Sequence, residues 1–230
     1  MRNLILSVIK KMGYKIDRTH DYEEKAISLY RKYNDFTMVP EAIFVDNLKL
    51  IYKFQDLNGC LVECGVWRGG MSAAISETLP NRKTYLFDSF EGLPDAQDID
   101  GEAAKDWQQN INSPHFYDNC KAEMEFAQTA MNKSKSNYSL VKGWFKDTLP
   151  NFDFNEPIAV LRLDGDWYES TMDCLIHLFP KVVDGGLIIL DDYYTWDGCS
   201  RATHDFLSKN SSKSRLHETN MGVAYIIKRD

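Results

Sequence analysis

Histidine is scarce in this 230-residue chain: only His20, His115, His177, His204 and His217 occur, and none forms an HxH or HxxxH pair. A zinc site is therefore not indicated. Cysteine is equally thin. Cys60, Cys64, Cys120, Cys174 and Cys199 are odd in number and contain no CxxC pair, so no disulfide framework is expected and a reducing, cytoplasmic compartment is. No apolar run reaches the ~18 residues that a membrane span needs. No GxSxG elbow, GxxxxGK[ST] phosphate loop or GxGxxG turn occurs. Positive charge is in deficit: 27 Lys+Arg face 34 Asp+Glu, a net charge of −7, which argues against nucleic acid as a partner. What remains is an ordinary globular composition, 43% hydrophobic and 27% charged, of a length suited to one large α/β domain with a small appendage.

The basic residues gather at the start. Leu4, Ile5, Val8 and Met12 share one face of an expected helix, flanked by Arg2, Lys10, Lys11, Lys15 and Arg18. One reading packs this helix on the domain or on a partner subunit. The other is peripheral contact of residues 1–18 with an anionic membrane surface, at the inner face of the membrane.

Helical periodicity at 22–33 and 41–56 precedes the first clear strand, 59–64. The division expected is a helical segment at 1–56, capping the substrate side or an oligomer contact, and a main domain at 57–230. Within the latter, strands at 83–88, 138–142, 157–164 and 186–191 alternate with helices near 70–79, 116–131, 167–179 and 198–209, and a hairpin closes the chain at 214–228. Alternation of this kind predicts a doubly wound, mostly parallel sheet with helices on both faces. Residues 89–113 are acidic and polar, and read as a lid loop.

In such sheets ligands sit beyond the C-terminal strand ends, so the residues there carry the chemistry. The first strand runs into Glu63-Cys64-Gly65-Val66-Trp67-Arg68-Gly69-Gly70, a glycine turn before a helix N-terminus. The second ends in Asp88, 23 residues after Gly65, a separation at which an acid commonly bonds a ribose diol. The fourth ends in Asp164-Gly165-Asp166 and the fifth in Asp191-Asp192. Like charges brought together at neighbouring strand ends need neutralising, and a hard divalent cation such as Mg²⁺ does so through oxygen ligands. Asp164, Asp191 and Asp192 are the expected metal ligands. Asp166 has two readings: chemistry, or a capping box with Glu169 for the following helix. His115, just beyond the lid, is a candidate base or a surface histidine.

The blocks VECGVWRGGMS (62–72), LFDSFEGLPD (86–95), GWFKDTLP (143–150), LRLDGDWYESTMD (161–173) and GGLIILDDYYTWDG (185–198) together resemble the macrocin O-methyltransferase family, in the family's order. The resemblance implies a class I methyltransferase fold, Rossmann-like, with seven strands and an antiparallel closing hairpin. It implies S-adenosylmethionine lying over Glu63, Gly65, Arg68 and Ser72, with Asp88 and Ser89 at the ribose and Gly143 and Trp144 near the adenine. It places a metal on Asp164, Asp191 and Asp192, and implies homo-oligomers whose N-terminal segments help complete the site. The acceptor would be a small molecule or glycan with adjacent hydroxyls, its proton taken by Asp164 or Asp166, with His115 second. Competing readings are a nicotinamide-dependent oxidoreductase, a non-catalytic S-adenosylmethionine-binding module and a metal-dependent phosphotransferase.

Overall fold

A computed structural model describes residues 22–229; the expected basic helix at 1–18 and His20 lie outside them. Two helices come first, α1 (Glu23–Tyr33) and α2 (Glu41–Tyr52). They are followed by β1 (Cys60–Cys64), α3 (Gly70–Thr78), β2 (Thr84–Asp88), α4 (Glu102–Gln109), α5 (Met124–Ser134) and β3 (Tyr138–Lys142). After the one-turn α6 (Phe145–Thr148) come β4 (Ile158–Leu163), α7 (Tyr168–Leu178), β5 (Val182–Leu190), α8 (Asp197–Lys209), β6 (Arg215–Glu218) and β7 (Ala224–Ile227). The sheet order is β3-β2-β1-β4-β5-β7-β6. β3 through β5 pair in parallel, and β7 runs antiparallel to both β5 and β6. The doubly wound, seven-stranded sheet with an antiparallel closing hairpin is thus present.

The central strands β1, β4 and β5 read as near-continuous apolar runs because both faces are covered. Leu61, Val160, Leu187 and Ile189 pack into a core shared with α1, α2, α3 and α5. Their alternate neighbours Val62, Leu161 and Ile188 pack into a second core under α7 and α8. The N-terminal helices belong to the first core. Tyr22 Oη donates to Thr78 Oγ1 at 2.8 Å, and Lys32 pairs with Glu77 at 2.6 Å. Among the described residues no helix is long and apolar enough to cross a membrane.

Two boundaries differ from the sequence expectation. The acidic stretch at 89–113 is not one loop: it holds a short turn at Asp98–Asp100 and the helix α4. The helix expected from 116 begins at Met124, because Tyr117, Asp118, Asn119 and Cys120 all adopt left-handed backbone, with φ from 50 to 59°. Four such residues in succession cost roughly 1–2 kcal/mol each. Asn119 fixes them: its Nδ2 donates to Leu93 O at 2.8 Å, its Oδ1 accepts from Gln108 Nε2 at 3.0 Å, and its carbonyl accepts from Leu93 N at 3.0 Å.

The 89–113 stretch is tied to α7 by Asp100, which is 2% exposed. Its Oδ1 accepts from Tyr168 N at 2.7 Å and its Oδ2 from Gln97 N at 2.8 Å. Asp100, not Asp166, therefore satisfies the N-terminus of α7. Asp100→Ala removes that cap and is expected to cost about 1–2 kcal/mol, read as a lowered urea midpoint with an unchanged slope.

Candidate functional site

The sheet order reverses direction between β1 and β4, and a cavity of about 800 Å³ opens beyond the C-terminal strand ends at that point. The ladder continues one residue past the strands: Gly65 N donates to Phe87 O (2.9 Å), Asp164 N to Cys64 O (2.8 Å) and Asp191 N to Leu163 O (2.9 Å). These bonds set the residues that follow the apolar runs as the cavity floor. Gly65 is required by the closeness of the two strand ends. A Cβ there would stand 1.7 Å from the Asp164 carbonyl oxygen, and its φ of +85° is left-handed. Gly65→Ala is expected to destabilise the chain by about 4 kcal/mol or more, seen as a lowered thermal midpoint.

Left-handed non-glycine backbone clusters at these strand ends, at Trp67 (φ 48°), Phe90 (φ 54°) and Asp166 (φ 58°). Strain of this kind is held in place by the surrounding structure. Asp88 supplies the hold for the first two: its Oδ2 accepts from Val66 N (2.6 Å) and Trp67 N (2.9 Å), and its Oδ1 from Phe90 N (2.6 Å). Burial pushes the Asp88 carboxyl above its ordinary range, against these three donors. Ser89 closes the next turn, its hydroxyl donating to Gly92 O and accepting from Glu91 N, both at 3.0 Å.

Under the floor lies Arg162, 1% exposed. Its Nη1 donates to Glu63 Oε1 at 2.8 Å and Asp164 Oδ2 at 2.7 Å, and its Nη2 stands 2.7 Å from Asp191 Oδ1. One guanidinium therefore faces three carboxylates. Ser72 donates its hydroxyl to the other Glu63 oxygen. Burial still dominates, and pushes Glu63 up to about 7 and Asp191 up to about 6 in spite of Arg162.

Asp164, Asp166 and Asp192 bring one carboxylate oxygen each within 4.8 Å of one another. Each has one oxygen held by the protein: Arg162 Nη1 on Asp164 Oδ2, Asp166 N on Asp192 Oδ2 at 3.0 Å, and Trp196 Nε1 on Asp166 Oδ1 at 2.8 Å. Burial first, then the neighbouring Asp164 charge, pushes Asp166 up to about 8. Asp192 is raised by burial and by Asp166.

Of the residues expected at the site, Glu63, Gly65, Asp88, Ser89, Gly143 and Trp144 line the cavity, as do all four aspartates. The grouping of the aspartates differs from expectation. Asp191 is turned to Arg162, and Asp166 stands in the cluster where Asp191 was expected. The capping reading of Asp166 fails, since α7 is capped by Asp100. Three other residues stand off the cavity. Ser72 acts through Glu63. The Arg68 guanidinium stacks on Trp67 (4.4 Å) and Phe126 (4.7 Å). His115 is exposed, and its backbone carbonyl accepts from Trp107 Nε1 at 3.1 Å. Arg162 escaped the sequence reading although it had a signal: an arginine inside a fully apolar strand must be paired. Part of the outer wall comes from residues 36–43, inside the 1–56 segment expected to cap the substrate side; Tyr194 and the β6–β7 turn with Glu218 and Met221 were not legible.

A family profile described as Macrocin-O-methyltransferase (TylF) matches residues 2–228. The chain is 36% identical over 163 residues to the demethyldecarbamoylnovobiocin O-methyltransferase of Streptomyces niveus, covering 66% of this chain and 59% of that protein. It is 37% identical over 169 residues to the 8-demethyl-8-(2,3-dimethoxy-alpha-L-rhamnosyl)-tetracenomycin-C 4'-O-methyltransferase of Streptomyces olivaceus, covering 70% and 62% respectively. The matched part thus spans about three fifths of the length of these relatives. The solved structure of the O-methyltransferase NovP superposes with a TM-score of 0.68 at 29% identity, covering 85% of this chain and 83% of that one. The sheet order, the family match and the structural likeness agree on a class I methyltransferase fold, and this chain belongs to the macrocin O-methyltransferase family.

Proposed function

We propose that the protein transfers the methyl group of S-adenosylmethionine to a hydroxyl of a sugar or glycoside, with a divalent cation such as Mg²⁺ at the aspartate cluster. The observation that carries this reading is the charge of the cavity. Glu63, Asp88, Asp164, Asp166, Asp191 and Asp192 all line it, against two cations, the buried Arg162 and the exposed Lys146. Such an excess suits a positively charged sulfonium donor and a hard cation with oxygen ligands. It does not suit a nicotinamide cofactor's pyrophosphate. The cavity's size falls in the range for bound small molecules.

In this reading Gly65, Asp88, Gly143 and Trp144 hold the nucleoside part of the donor, and Glu63, fixed by Ser72 and Arg162, supplies negative charge near the sulfonium. Asp164 and Asp192 would hold the cation, with Asp166 beside them. When bound, the cation lowers the pKa of a coordinated hydroxyl. Asp166, whose carboxylate stands with those of Asp164 and Asp192, is placed to take the proton of the acceptor hydroxyl. The lid helix α4 and the aromatic wall around it exclude water from the reacting atoms. The acceptor enters past Phe36–Ile43 and the β6–β7 turn. A rhamnosyl group, named as the acceptor of one relative, is the class to test first. A homo-oligomer and peripheral membrane contact through residues 1–18 belong to the same proposal.

Calorimetric titration with S-adenosylmethionine tests it. Wild type is expected to bind with micromolar affinity, and Asp88→Ala to lose at least ~10-fold as its loop comes free and the donor loses a contact. Absence of binding by wild type would remove the methyltransferase reading.

A further inference from the structure

Three indoles meet at the edge of the aspartate cluster. Trp196 lies 5.3 Å from Trp167 and 5.9 Å from Trp107, ring centre to ring centre, each pair edge-on. Buried indole N–H groups need acceptors, and each of the three has a different one. Trp167 Nε1 donates to Pro94 O at 2.8 Å and Trp107 Nε1 to His115 O at 3.1 Å, both backbone carbonyls. Trp196 Nε1 alone ends on a carboxylate, Asp166 Oδ1. The backbone of Trp196 is tied as well, its N–H donating to Asp192 O at 2.9 Å.

This matters because Asp166 is the least anchored member of the cluster. Asp164 is held by a guanidinium and Asp192 by a backbone N–H. Asp166 sits on left-handed backbone beside two like charges, so repulsion alone would turn its side chain away. We infer that Trp196 is a positioning residue: its indole N–H sets the rotamer of Asp166, so that the carboxylate's free oxygen stays with those of Asp164 and Asp192. The role rests on the methyl-transfer reading, in which Asp166 works beside a cation. The hydrogen bond itself does not.

Two measurements separate the bond from the reading. In the first, the protein is labelled with ¹⁵N-indole tryptophan and the Trp196 resonance is assigned by its absence in W196F. Asp166→Asn replaces the carboxyl acceptor by an amide. A shift concentrated in the Trp196 indole proton supports the inference, and an unmoved resonance overturns it. In the second, Trp196 is replaced site-specifically by 3-benzothienylalanine, which keeps the ring shape but carries sulfur where the N–H was. Mn²⁺ is then titrated calorimetrically against both proteins. An affinity loss of about 10- to 100-fold at an unchanged melting temperature is expected, the usual effect of removing an outer hydrogen-bond partner of a metal site. Equal affinities overturn the positioning role. If wild type fails to bind Mn²⁺, the cation reading falls and takes the positioning role with it, while the indole shift still reports the hydrogen bond.

Discussion

Asp192→Asn is expected to lower methyl transfer by on the order of 10³-fold, the scale of losing a charge-stabilising group at a reacting centre. The substitution is chosen because the asparagine carbonyl still accepts from Asp166 N–H, the bond that Asp192 Oδ2 makes at 3.0 Å. The left-handed turn at Asp166 then keeps its support, and the loss reports charge and not collapse. S-adenosylmethionine affinity is expected to stay within ~3-fold, because the donor side of the cavity is built from the ends of β1 and β2. Turnover is read as S-adenosylhomocysteine released. A chelator added to wild type is expected to reproduce the loss, and Mg²⁺ to reverse it. The matched variant Asp191→Asn separates the two possible triads. Asp191 faces Arg162 at 2.7 Å, outside the group formed by Asp164, Asp166 and Asp192. Asp191→Asn should therefore weaken Mn²⁺ binding less than Asp192→Asn does. Equal weakening would restore Asp191 to the ligand set.

That contrast also marks how far the sequence carries. The order of strands and helices was readable because burial on both faces leaves an unmistakable alternation. The strand at 138–142 has the bounds found in the structure, and the acids that line the cavity stand at the ends of those apolar runs. The spacing of residues along a chain says which strand end a side chain occupies, but not which way it turns. Asp191 and Asp192 are adjacent just past the end of β5 and both line the cavity, yet Asp191 pairs with Arg162 while Asp192 joins the cluster with Asp164 and Asp166. Nothing local distinguishes the two. Asp166 resembled a cap because Glu169 follows at the right spacing, yet the cap came from Asp100, 68 residues away. Contacts across that distance, like the indole of Trp196 on Asp166, are made by the fold and have no local signature. Left-handed backbone at four residues in a row, 117–120, defeated the helix expectation for the same reason. It is held by Asn119 bonds to Leu93 and Gln108, not by propensity.

Arg162→Met is expected to harm folding severely. The side chain is 1% exposed and neutralises Glu63, Asp164 and Asp191 at 2.7–2.8 Å. Methionine fills similar volume, so packing is nearly kept and three carboxylates lose their common counter-charge. Breaking a buried pair by removing one partner costs ~3–5 kcal/mol. The pH dependence gives the cause away. Burial already raises Glu63 to about 7 and Asp191 to about 6 while Arg162 pulls both down. Without the arginine both rise further in the folded state and stay ordinary in the unfolded one. The folded protein then binds more protons than the unfolded one between the ordinary carboxylate range and the raised values. Its stability is fullest below that range and falls as pH rises through the raised values. Arg162→Met should thus be closest to wild type near pH 5 and weakest near pH 8, measured as urea midpoints across that interval. Wild type should show a shallower decline over the same span. Parallel profiles for the two proteins would mean that Arg162 supports the fold by packing alone, and the charge balance under the cavity floor would need another source.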